Sequence, residues 1–394
     1  MLPDFKTPEG KKLALETAWR YQDEFRTVLR PTTPTTINPI GDFLNYLPQL
    51  LQWYYGNSIG MSLEPAHGRG HVIRNILHSI IIVKGTPLHR DDALAILLGG
   101  WCHDIFIDIK RYEERDRIGH AEVAGYILDK ALKETGLWYK HPYACWSAVF
   151  SVLAHTFYMQ QPRKINIGID RYSIQPYQDT WSNGEIFQPV LGVRKIDQAD
   201  CFSPFFSGRH LISLGDEHED FDGKKFYPVK LEDHLQIFPP DENGKFQAGT
   251  MLRHLQMFEQ NQSGLSIYSA WTFGSMRTIT QTYIPWLKEI YTKVYQSYQT
   301  GYSGGEDNAQ AVENWLIQQV SYFDGVEQIK SIIKKIKCLD DRTSTAWFNG
   351  LMLAKELSVK QVQFMREQLG EELMKILPKQ LPVIGNGLLD MLSL

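Results

Sequence analysis

Apolar residues recur three and four positions apart through most of this 394-residue chain, the spacing that gives a helix one buried face. The pattern predicts helices over 10–29, 42–55, 70–84, 93–106, 118–134, 142–158 and 197–214. In the second of these, Phe43, Leu44, Leu47, Leu50, Leu51 and Tyr54 supply the face. Helical spacing resumes over 250–300 and again up to Leu377, just before Pro378, with a Gly/Ser loop at 301–305 between the two runs. Two stretches break the rhythm. Residues 30–39 are rich in Pro and Thr, and proline lacks the N–H and clashes with the preceding turn, so a loop is expected there. In 160–190, Ile165, Ile167 and Ile169 alternate with polar residues and turn-formers follow, which predicts short strands or an irregular insertion. The fold class expected is mainly α.

The same punctuation divides the chain into an N-terminal helical extension (1–62), a core (63–205), a loop or hairpin insertion (206–262) and a C-terminal helical region (263–394) packed on the core. The acidic run at 215–223 has the wrong oxygen spacing for an EF-hand and reads as a solvated loop. The lysines of 330–337 read as a solvated helix face, with an anionic surface as the other reading.

Composition narrows the function classes. Hydrophobic residues make up 43% and charged residues 22%, which excludes disorder for the bulk of the chain. The net charge of −4 offers no electrostatic case for general nucleic-acid binding. Cys102, Cys145, Cys201 and Cys338 form no CxxC pair, so neither a disulfide scaffold nor a zinc ribbon is indicated. The start of the chain has no apolar signal region, and no apolar run approaches the ~20 residues of a transmembrane helix. A cytoplasmic protein is expected, with export by a signal-less route left open.

The twelve histidines are where chemistry concentrates. His67 and His71 differ by four positions, and Arg74 and His78 follow on nearly the same face if the helix includes Gly68. If Gly68 and Gly70 delay the helix, His67 sits on a loop facing substrate instead. The apolar run 93–102 ends in His103-Asp104, an expensive burial for a carboxylate unless it is paired or bound to metal. His120 opens the next helix and His155 comes late in another. Asp197 and Asp200 fall at a helix start or within its first turn.

This order (His, His-Asp, His, His, Asp) resembles the HD superfamily of metal-dependent phosphohydrolases. The resemblance covers about 63–205 and implies an HD-type helical core. It implies that His71, His103, Asp104 and Asp200 bind one divalent ion, with His120 and His155 supporting a second. Imidazole and carboxylate donors suit Mn, Fe, Co, Ni or Zn. The reaction implied is hydrolysis of a phosphate monoester or phosphodiester by metal-activated water, with His67 near the scissile phosphate. The substrate would be a phosphorylated small molecule or nucleotide. Arg74, Lys110, Arg111 and Arg115 are candidates to hold phosphate oxygens. Glu114 and Glu122 are candidates to orient a histidine or to act as acid/base.

The segment around His67 is also similar to the phosphodiesterase domains of the SidE family of bacterial effectors, which are HD-like in fold but metal-independent. That resemblance implies a modified protein substrate, ADP-ribosylated or phosphoribosyl-linked ubiquitin. His67 would be the nucleophile, Glu114 or Glu122 its orienting carboxylate and His155 the acid. A third reading is a non-catalytic helical binding module on an HD scaffold.

Overall fold

The computed structural model describes residues 2–5, 7–25, 27–31, 37–57, 69–104, 118–156, 162–167, 169–177, 185–205, 218–219, 225–226, 235, 237, 274–301, 305–320 and 326–380. These contain thirteen α-helices and two small antiparallel hairpins, so the fold is mainly α. No helix among the described residues is long and apolar enough to cross a membrane. The chain divides into two compact units. The first comprises Met1–Leu63, Val72–Gln198 and Leu369–Leu389; the second comprises Glu64–His71, Ala199–Gln368 and Asp390–Leu394.

The first unit begins with α1 (Pro8–Glu24), which starts where proline at the first helical position meets an N-cap: the Thr7 hydroxyl accepts from Gly10 N–H at 3.2 Å. Next come α2 (Pro39–Asn57), α3 (Arg69–Lys84), which joins this unit from Val72 onward, α4 (Arg90–Gly100), α5 (His120–Glu134), the short α6 (Leu137–Lys140) and α7 (Pro142–Ala154). Helix α7 is buried from Tyr143 to Ala154 without a break. It packs against α1, α4, α5 and α6, which is why its sequence is apolar on every side. Phe150 anchors its far face, stacked on Phe25 with ring centroids 4.4 Å apart and on Trp146 at 5.2 Å.

After α7 the chain forms β1 (Arg163–Ile167) and β2 (Asp170–Ile174), an antiparallel pair with Ile165 opposite Tyr172. The expected alternation holds for Ile165 and Ile167, which are buried, but Ile169 lies in the turn and is 98% exposed. Helix α8 (Gln188–Cys201) follows. The helix expected over 197–214 therefore begins earlier, with Pro189 in its first turn, where a missing N–H costs nothing. Asp197 and Asp200 stand in its last turns, not its first. The helix expected to reach residue 29 ends at Glu24, and that expected to reach 106 ends at Gly100.

Helices α3, α4 and α8 approach one another closely because three glycines permit it. A Cβ on Gly100 would stand 2.3 Å from Ser79 Oγ and 2.6 Å from Ile196 Cδ1. One on Gly99 would meet Val193 at 2.8 Å, and one on Gly192 would meet Ile96 at 2.5 Å.

The second unit contains β3 (His218–Glu219) paired with β4 (Lys225–Phe226), then α9 (Gly274–Thr300), α10 (Gly305–Val320), α11 (Val326–Lys337) and most of α12 (Asp341–Leu369). Helix α11 buries Ile329, Ile332, Ile333 and Ile336 and packs on α10, while Lys330, Lys334 and Lys337 are exposed, as the solvated-face reading expects. The chain then returns to the first unit, where α13 (Glu371–Gln380) packs on α2.

Candidate metal centre

The chain places three imidazoles and a carboxylate together by using helix ends. After α4 stops, residues 101–104 form a turn in which His103 is fully buried and Asp104 nearly so. His103 Nδ1 faces the Gly100 carbonyl oxygen at 2.9 Å. His155 follows the last residue of α7 and its Nδ1 faces the Val152 carbonyl at 2.6 Å. A carbonyl only accepts, so both rings carry their proton on Nδ1 and direct Nε2 elsewhere. Each ring also satisfies a carbonyl that the helix end leaves open. His120 is the first residue of α5, where the Glu122 carboxylate folds back to accept the Gly119 N–H at 2.9 Å.

Around Asp104 the donor atoms converge. His120 Nε2 and His155 Nε2 lie 3.2 Å apart, and Asp104 Oδ1 lies 3.4 and 3.5 Å from them. A tetrahedral ion with bonds of ~2.0–2.1 Å to nitrogen and oxygen needs donors about 3.3 Å apart. This triangle has the size of one face of such a coordination sphere. The other carboxylate oxygen, Asp104 Oδ2, is 3.3 Å from His103 Nε2, which is 3.8 Å from Asp197 Oδ1. His103, Asp104 and Asp197 thus form a second potential donor group that shares Asp104 with the first. A buried His/Asp group able to hold a metal ion is therefore present in the first unit.

The electrostatics follow from burial and proximity. Burial opposes charge on His103, but the Asp104 carboxylate, with Asp197 behind it, outweighs burial and raises the imidazole to about 10. Burial likewise opposes charge on Asp104, and the histidines around it hold its carboxyl well below the usual range. His155 is pushed down, by burial first, then by His103 and His120, against the pull of Asp104. A neutral His155 is a ligand-ready one. With Nδ1 turned to the Gly100 carbonyl, His103 Nε2 is the atom that would have to be free of a proton to bind an ion.

Of the residues expected from the sequence, His103, Asp104, His120 and His155 come together in the first unit. His71 and Asp200 belong to the second unit, where His71 Nδ1 donates to Asp200 Oδ2 at 2.7 Å with both side chains buried. Arg74 is buried, at 3% exposure. Glu122 is fully buried in its capping position. His67, Lys110, Arg111, Glu114 and Arg115 lie outside the described residues. Asp197 entered the expected set only as the neighbour of Asp200; its signal was the i, i+3 pair of carboxylates in 197–200. Lys195, which the sequence did not single out, is buried with Nζ 2.8 Å from Gln198 Oε1, and burial, helped by Arg194, lowers it to about 8. A half-open cavity of about 620 Å³ between α1 and the β1–β2 hairpin, lined by Trp19, Arg20, Phe25, Phe150 and Gln175, contains none of the donor residues.

Compared with protein-family models, with curated proteins and with solved structures, the chain matches none.

Proposed function

We propose that this protein is a metal-dependent phosphohydrolase of the HD type, acting on a phosphate monoester or phosphodiester of a nucleotide-like molecule. The observation that carries the reading is the Asp104–His120–His155 triangle, whose edges of 3.2–3.5 Å suit a tetrahedral transition ion. The order of these residues along the chain supports it, since the His-Asp doublet precedes two further histidines as the resemblance implies. In this reading Asp104 bridges the two donor groups, with His103 and Asp197 on one side and His120 and His155 on the other. His71 and Asp200 are the remaining ligand candidates by sequence order.

When bound, an ion of the Mn, Fe, Co, Ni or Zn class supplies a nucleophile from water at neutral pH and offsets charge on a phosphoryl oxygen. The chain's own contribution is orientation. The Gly100 and Val152 carbonyls fix the tautomers of His103 and His155, and Asp104 supplies the negative charge that attracts a cation to a buried place. Asp197 and His120 are the least buried of the donors, with side chains 34% and 14% exposed, so in this reading substrate would reach the ions past them.

Metal analysis of the purified protein, before and after chelation, tests the reading together with hydrolysis of a panel of nucleotides, cyclic dinucleotides and phosphoribosyl-protein conjugates. Bound transition metal and loss of both metal and turnover in Asp104→Ala support it. Full activity of Asp104→Ala with no metal in the wild type sinks it. If His67→Ala then abolishes turnover, the metal-independent effector chemistry takes its place.

A further inference from the structure

Arg194, on α8, donates twice to one backbone oxygen: its Nε lies 3.2 Å and its Nη2 2.8 Å from the carbonyl of Ala154. Ala154 is the last residue of α7. Its carbonyl is among those an α-helix leaves without an intrahelical partner, and the cation sits where the helix dipole favours positive charge. The next residue is His155, whose ring is tied through Nδ1 to Val152 in that same final turn. Whatever holds the turn therefore holds the ring. Three residues beyond Arg194 along α8 stands Asp197, so one side chain ties together the helices that carry donors on both sides of Asp104.

We propose that Arg194 is a positioning residue for the metal centre, keeping His155 Nε2 in register with Asp104 and His120 by clamping the C-terminal turn of α7. The inference rests on the metal reading above and deepens it. Two donors of a planar guanidinium converge on one oxygen, a geometry that a lysine ammonium does not reproduce. Loss of an outer partner of this kind typically weakens metal binding about 10–100-fold.

The test titrates the full-length, metal-stripped protein with Co(II) and follows its visible ligand-field absorption in wild type, Arg194→Met and Arg194→Lys. Far-UV circular dichroism monitors the fold. The expected result is a Kd raised about 10–100-fold and an altered band shape in Arg194→Met, with Arg194→Lys between the two. A folded Arg194→Met protein with the wild-type Kd and spectrum overturns the proposal. If Arg194→Met does not fold, Arg194→Lys carries the same readouts. If the wild type itself binds no Co(II), the metal reading fails separately. Positioning is then read from the ring 15N resonances of His155, expected to shift or broaden in the variant while those of His89 stay fixed. Unchanged His155 resonances overturn it.

Discussion

Arg30 and Asp92 form an ion pair whose two ends are unequally buried, and that inequality governs how the first unit responds to pH. Arg30 Nη2 lies 2.9 Å from Asp92 Oδ2, with the arginine side chain 32% exposed and the aspartate side chain 1%. The Tyr143 hydroxyl reaches the other oxygen, Oδ1, at 3.4 Å. Arg30 keeps enough water to remain charged. Asp92 does not: burial outweighs the attraction of Arg30 and His89, and the carboxyl is raised from 3.8 to about 6. Between those two values the folded protein holds a proton that the unfolded chain has released, so stability falls as pH rises through the window. A shift of about two units at ~1.4 kcal/mol each amounts to about 3 kcal/mol. Asp92→Asn cannot ionise and retains an oxygen for Arg30, so the variant lacks this dependence. The difference in stability, wild type minus variant, is expected to drop by about 3 kcal/mol between pH 3 and pH 7. Urea unfolding of both proteins across that range measures it, and a 13C titration of the Asp92 carboxyl gives the midpoint directly. Parallel stability curves, or a midpoint below 4, would refute the argument. The pair matters to the site because Asp92 stands in the first turn of the helix that ends just before His103-Asp104.

Gly100→Ala forces a methyl to within 2.3 Å of Ser79 Oγ and is expected to cost about 1–3 kcal/mol in thermal or urea unfolding; a neutral result would mean that the close approach of α3 and α4 is not required. Glu122→Gln keeps an acceptor for Gly119 N–H and is expected to retain stability, whereas Glu122→Ala loses about 1 kcal/mol. If Glu122→Gln folds as the wild type does but turns over no substrate, the carboxylate acts in the reaction and not only as a cap. A transition ion at 100 times its Kd is expected to stabilise the protein by about 2.7 kcal/mol, raising Tm by several degrees. Asp104→Asn should lose that rise, and an equal rise in the variant would place the ion elsewhere.

The helices α3, α4, α5 and α7 were legible because each has an apolar face or an apolar body of sufficient length. The doublet His103-Asp104 was legible because a carboxylate at the end of so apolar a run demands a partner. The α8 region misled for a physical reason: Asp197 and Asp200 share a face whether they open a helix or close one, so their spacing does not reveal the helix's direction. Nor does it reveal the division of labour between them, in which Asp197 approaches His103 while Asp200 accepts from His71. Glu122 illustrates a different limit. A Glu three positions after Gly119 suits an N-terminal cap and suits an acid/base equally, and only the 2.9 Å contact identifies the cap. Arg194 was invisible because its partner is a backbone carbonyl forty residues away, which no side-chain pattern encodes.

The return of the chain to the first unit has a consequence for the order of events during synthesis. Helix α13, which packs on α2, is separated from α8 by nearly the whole of the second unit. At about 5–20 residues per second, residues 199–368 take on the order of ten to thirty seconds to emerge from a ribosome. Through that interval the surface of α2 that α13 will cover stands bare, and the helices made first wait for one made much later. A nascent chain arrested before residue 371 would therefore carry the residues of the candidate metal centre while still lacking α13 as a cover for part of α2.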